Sequence, residues 1–189
     1  MKRRVPNILT IARVLLACGF IYFVRKPDVS SVVVAIVFFT FASLTDYFDG
    51  YFAKKHDFIS NFGKIADPIA DKFLSLAAFY VFVEMQMMAA WMFYVIFFRE
   101  VFVTIFRFVA IRKGVVLAAE RAGKLKTVFQ ITTISVMLVF LLFFERIWSL
   151  QIADLIGPFV MGALQIITVA LTLYSGISTI WNNRKVFVT

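Results

Sequence analysis

Apolar residues in this chain come in long runs that cover every helical face, with none of the alternation expected of a half-buried strand. Six stretches, at about 5–24, 29–53, 65–87, 89–111, 122–144 and 153–182, are long enough to cross hydrocarbon. A bilayer core of about 30 Å needs roughly 20 helical residues. The runs from Val32 to Phe41, Phe73 to Val83 and Trp91 to Phe98 are rich in phenylalanine. The pattern predicts an all-α integral membrane protein: a six-transmembrane-helix bundle forming one domain over residues 1–189. The sixth stretch exceeds the minimum, which predicts tilt or an interfacial end. Composition points the same way, with 62% hydrophobic residues, 16% charged and a mean hydropathy of +0.90. Soluble domains are about half apolar and a quarter charged.

Charge placement gives the bundle a direction. Lys2, Arg3, Arg4, Lys54, Lys55, Lys64, Arg112, Lys113, Arg121, Lys124, Lys126, Arg184 and Lys185 fall at one set of span ends. Arg25, Lys26 and Arg146 fall at the other. The positive-inside rule then predicts both termini cytosolic, in a multi-pass protein of the cytoplasmic (inner) membrane whose active site faces the cytosol. The net charge of +9 reads as a collar beside anionic head groups, and its scatter over short segments argues against nucleic acid as a partner. Met1-Lys2-Arg3-Arg4 ahead of Leu15-Leu16-Ala17-Cys18 imitates a signal peptide, yet Arg13 interrupts the run and it continues to Val24. An uncleaved first span is expected, with Cys18 as a small buried residue.

Carboxylates are costly in a bilayer, and an intramembrane cluster marks a functional site. Asp46, Asp49, Gly50 and Ala53 share one helical stripe, and Gly63, Asp67 and Asp71 repeat the design on the next helix. A hairpin of spans two and three would set the stripes face to face, with Pro68 in the first turn of a helix starting near Asp67. Four such charges cannot all stay ionised without protonation, basic partners or a divalent ion. Oxygen-only ligands suit Mg²⁺ or Mn²⁺ better than zinc. A structural polar network and a transporter's cation site compete with a catalytic metal site. The interleaved small residues leave room for a ligand, and no second-half counterpart of the kind transporters carry is present, so the catalytic reading leads.

The spacing Asp46-x-x-Asp49-Gly50-x-x-Ala53, then Gly63-x-x-x-Asp67-x-x-x-Asp71, resembles the signature of the CDP-alcohol phosphatidyltransferases. One position departs: Lys54 stands where the family usually has Arg, which keeps the charge and loses the bidentate fork. The resemblance implies a two-ion Mg²⁺ or Mn²⁺ site held by Asp46, Asp49 and Asp67. Asp71 would contact a metal and act as general base on the acceptor hydroxyl. It also implies a CDP-diacylglycerol site formed by Asn7, Thr10, Asp49, Gly50, Ala53, Lys54 and Gly63, and a homodimer.

The core signature leaves the acceptor open. A cation inside a membrane helix needs an acidic partner or an anion. Arg99 has Glu100 beside it, and Arg13 and Lys72 have the aspartates. Arg107, Lys124 and Lys126 have no acidic neighbour in sequence, and with Arg99 they predict a pocket for a phosphate carried by the acceptor. Pro6-Asn7-x-Leu9-Thr10-x-x-Arg13, Arg99-Glu100 and Gly123-Lys124-x-Lys126-Thr127 resemble the family branch that uses sn-glycerol 3-phosphate, which implies phosphatidylglycerophosphate and CMP as products. A cardiolipin-forming member using phosphatidylglycerol is the alternative within the family, and a cation transporter the alternative outside it. His56 and Asp57 read as solvated loop, Trp91, Trp148 and Trp181 as interfacial anchors, and spans five and six beyond Thr127 as packing alone.

Overall fold

With few water-facing positions to break them, the apolar stretches satisfy their backbone internally as helices. Among the described residues there are six: α1 (Val5–Val24), α2 (Val29–Ala53), α3 (Gly63–Glu84), α4 (Ala90–Arg112), α5 (Arg121–Phe140) and α6 (Gln151–Asn182). The computed structural model describes residues 5–53, 63–113, 121–143 and 151–184, without the side chains of 5–10, 46–53, 63–71, 121 and 151–156. Among the described residues there is no strand. Two stretches there, Ala122–Phe143 and Gly157–Asn182, are long and apolar enough to cross a membrane.

Tight turns join the first helices. Asp28 caps α2: its Oδ2 accepts from the Ser31 amide at 2.8 Å and the Ser30 hydroxyl at 2.7 Å. The Ser31 and Ser30 side chains, with the Ser31 amide, hold the Asp28 carboxyl down at about 2. At the end of α3, Gln86 takes a φ of 60°, and the Met87 amide returns to the Phe82 carbonyl at 2.9 Å. An ion pair of 2.6 Å between Arg25 and Glu84 ties these two turns together, so both stand at the same end of the bundle.

The apolar core draws on all six helices and includes the place where α1 nests against α2 and α3. Phe20, Val24, Val32, Phe39, Phe79 and Phe82 are buried there, and Ala17, Ala35, Ala42 and Ala78 let the backbones approach. The expected facing of the two aspartate stripes lies outside the described side chains. Among the described residues, α2 and α3 meet over a short stretch, and α1 serves as the principal neighbour of both. A second interface, α5 on α6, is polar inside: Thr133 and Thr168 hydroxyls lie 2.6 Å apart, and Gln130 donates to Thr172 at 3.4 Å. Gln165 reaches the Met87 carbonyl at 2.8 Å.

Three expectations need correction. Helix α3 begins at Gly63, so Pro68 sits in its second turn rather than its first. Cys18 is exposed, because the helical face that buries Ala17 and Phe20 turns it outward. The interface between α5 and α6 is not packing alone. Outside, Phe98, Phe102, Ile105, Phe159, Tyr174 and Ile177 are all exposed.

Gly19 of α1 makes room for Phe38 of α2, since a Cβ there would stand 2.3 Å from the Phe38 ring. Phe23 holds that ring edge-on, with centroids 5.6 Å apart. Gly19→Ala therefore overpacks the contact and should destabilise the protein by about 1–3 kcal/mol. Thermal unfolding in detergent reads this directly, and an unchanged midpoint would contradict the packing described.

Candidate active site

The last turns of α2 carry Asp46, Asp49, Gly50 and Ala53, the first turns of α3 carry Gly63, Asp67 and Asp71, and the first turns of α1 carry Asn7 and Thr10. The side chains of these residues, and Lys54 altogether, lie outside the described residues. Among the described residues no three His, Cys, Asp or Glu side chains gather as a metal site. One residue beyond Asp71, the described structure resumes with Lys72, and Lys72 leads into a cluster of charges.

Glu100 is the centre of that cluster. Only 3% exposed, its carboxylate receives Lys126 from α5 and Arg99 from its own helix, both at Oε1, with Arg99 Nη1 at 3.0 Å. Lys72 of α3 stands 3.5 Å from Oε2 and also donates to the Glu100 carbonyl at 3.3 Å and to the Thr104 hydroxyl. Thr104 in turn donates to the Glu100 carbonyl at 2.7 Å. From α6, the Ser175 hydroxyl accepts from Arg99 Nη2 at 2.7 Å. Gly176 leaves room for the arginine stem, since a Cβ there would meet Arg99 Cγ at 3.1 Å. On its outer side Arg99 borders an open apolar groove between α4 and α6, about 630 Å³ in volume, walled by Phe98, Phe102 and Ile177.

The predicted acceptor residues thus divide. Arg99 and Lys126 are brought together, Lys126 buried and Arg99 half-buried. Arg107 and Lys124 are exposed. The expectation that Lys126 lacks an acidic partner is corrected: Glu100, far away in sequence, supplies it. Lys72 likewise turns to Glu100. Sequence reasoning missed Thr104 and Ser175, and it read Glu100 only as a neighbour of Arg99. The one signal was spacing, because Glu100, Thr104 and Arg107 share a face at i, i+4 and i+7.

Among the described residues, one carboxylate among three cations leaves a formal surplus of two positive charges in a low-dielectric setting, which a bound dianion would offset. A sequence model described as CDP-alcohol phosphatidyltransferase matches residues 3–179. The chain belongs to this family. Similar proteins carry the name CDP-diacylglycerol–glycerol-3-phosphate 3-phosphatidyltransferase. The one from Bacillus subtilis (strain 168) is 40% identical over 162 residues, 79% of this chain and 83% of that protein. Its namesake in Cereibacter sphaeroides is 35% identical, covering 72% of this chain and 64% of that protein. The Rickettsia prowazekii (strain Madrid E) protein is 32% identical, covering 74% and 77%. Lys72, the member of the charged cluster from α3, follows Asp71 directly in the chain.

Ser175→Ala removes the tie between α6 and the Arg99 guanidinium and leaves a charged donor short of a partner. A loss of about 1.5–3 kcal/mol is expected. Chemical denaturation followed by tryptophan fluorescence measures it, and a change below about 0.5 kcal/mol would mean that Arg99 finds another partner at no cost.

Proposed function

We propose that this protein transfers the phosphatidyl group of CDP-diacylglycerol to sn-glycerol 3-phosphate, releasing phosphatidylglycerophosphate and CMP. Family membership and the names of its relatives support the reaction class. The observation that carries the acceptor is the surplus of positive charge around Glu100, suited to a substrate that brings its own phosphate. In this reading six helices span the cytoplasmic membrane and the exposed Phe98, Phe102 and Ile177 meet lipid. Both termini and the aspartates face the cytosol, as the basic residues require. A homodimer completes the expected assembly.

Four aspartates from two consecutive helices form an all-oxygen donor set, which fits a divalent ion of the Mg²⁺ or Mn²⁺ type. Asp46, Asp49 and Asp67 would hold a pair of ions, with Asp71 in contact. Bound there, the ions supply charge neutralisation for the diphosphate and for the departing CMP. Asn7, Thr10, Gly50, Ala53, Lys54 and Gly63 bind the CDP moiety, the small residues allowing close approach. Asp71 accepts the proton of the acceptor hydroxyl as its oxygen bonds to the phosphatidyl phosphorus and the bond to CMP breaks. Arg99 and Lys126, with Arg107 and Lys124 toward the mouth, hold the acceptor's phosphate so that its hydroxyl reaches Asp71.

Purified protein in mixed micelles should release CMP from CDP-diacylglycerol only when both glycerol 3-phosphate and Mg²⁺ or Mn²⁺ are present. EDTA should abolish release, and Asp71→Asn should lower kcat by about 10²–10⁴ with the protein still folded. Release with phosphatidylglycerol and none with glycerol 3-phosphate would replace the acceptor. Release without divalent ions would remove the metal site.

A further inference from the structure

We propose that Glu100 is a positioning residue for the acceptor. Its carboxylate presets Arg99 and Lys126 as a phosphate-binding pair and locks them, through Lys72, to the helix turn that bears Asp71. This rests on the phosphate-carrying acceptor proposed above. Three cations close enough to share one carboxylate repel one another, and without Glu100 nothing described in the cluster opposes that repulsion. The two oxygens divide the work. Oε1 takes Lys126 and Arg99, the cations of α5 and α4. Oε2 has no hydrogen-bond donor, and faces Lys72 of α3 at 3.5 Å.

The backbone adds a second link to the same helix. The Glu100 carbonyl accepts from Lys72 at 3.3 Å and from Thr104 at 2.7 Å, and Lys72 also donates to the Thr104 hydroxyl. Lys72 follows Asp71 directly in the chain. The distance from base to phosphate pocket is therefore set by a chain of named contacts from Lys72 to Glu100 and from Glu100 to Lys126. On the far side, Ser175 holds the other terminal nitrogen of Arg99, which keeps the guanidinium from following the phosphate outward. A site so fixed spends little ordering on substrate binding.

Steady-state kinetics of the full-length protein, with CDP-diacylglycerol, glycerol 3-phosphate and Mg²⁺ in mixed micelles, tests this. Glu100→Gln should raise KM for glycerol 3-phosphate about tenfold or more while KM for CDP-diacylglycerol stays within about twofold. In a Lys126→Gln background the same substitution should raise the acceptor KM by a smaller factor than it does alone, because one of the two cations it positions is gone. Equal rises in both KM values, effects that multiply in the double variant, or an unchanged acceptor KM would each overturn the proposal. Glu100→Asp keeps the charge and withdraws it by one methylene, and it carries the test if the glutamine variant fails to fold. A raised acceptor KM then supports the proposal and a native value overturns it. The native protein is assayed first: no CMP release with glycerol 3-phosphate would count against the acceptor reading itself, whatever the variants do.

Discussion

A carboxylate sealed inside an apolar bundle must be neutralised, and the way Glu100 meets that demand organises half of this molecule. Its partners come from α3, α4 and α5, and one of them, Arg99, carries the tie onward to α6. Burying a charge is expensive and burying it unpaired is worse, so these four helices have one favourable register and a large penalty for leaving it. An apolar bundle in lipid lacks a strong hydrophobic drive between its helices. Directional charge contacts then supply uniqueness that shape alone would leave weak.

The other half is held differently. Around α1 the contacts are close and apolar, with alanines and Gly19 admitting the phenylalanines of neighbouring helices. Among the described residues, α2 and α3 each pack chiefly on α1 and touch one another over a short stretch. A small-residue interface holds α1 against α2 and α3. A charged interface on the other side brings cations to the next residue along. The proposed donor and acceptor sites therefore meet at α3, the helix common to both, at Asp71 and Lys72.

The interface of α5 with α6 shows what patterned polarity does in such a setting. Lys126, Gln130 and Thr133 on α5, and Gln165, Thr168, Thr172, Ser175 and Thr179 on α6, recur at three- and four-residue steps and are buried. That seam is legible in the bare sequence as a polar stripe on two otherwise greasy helices, though its partners are not. The spacing says which face turns inward. It does not say which helix receives it.

Read alone, the sequence determined the helical class, the number of long apolar elements and the aspartate signature that carries the family, because each depends on residues close together in the chain. Among the described residues a helix forms at each of these apolar stretches. Tertiary structure decided how charges are matched. Lys126 and Glu100 are 26 residues apart, Lys72 and Glu100 28, and Arg99 and Ser175 76. A cation with no acidic residue nearby in sequence reads as free for a ligand, and helix packing alone reveals its partner. The placement of α1 between its neighbours is of the same kind, since crossing angles follow from the fit of many side chains at once. Local periodicity writes the elements, and the energy of burying charge and filling space chooses their neighbours.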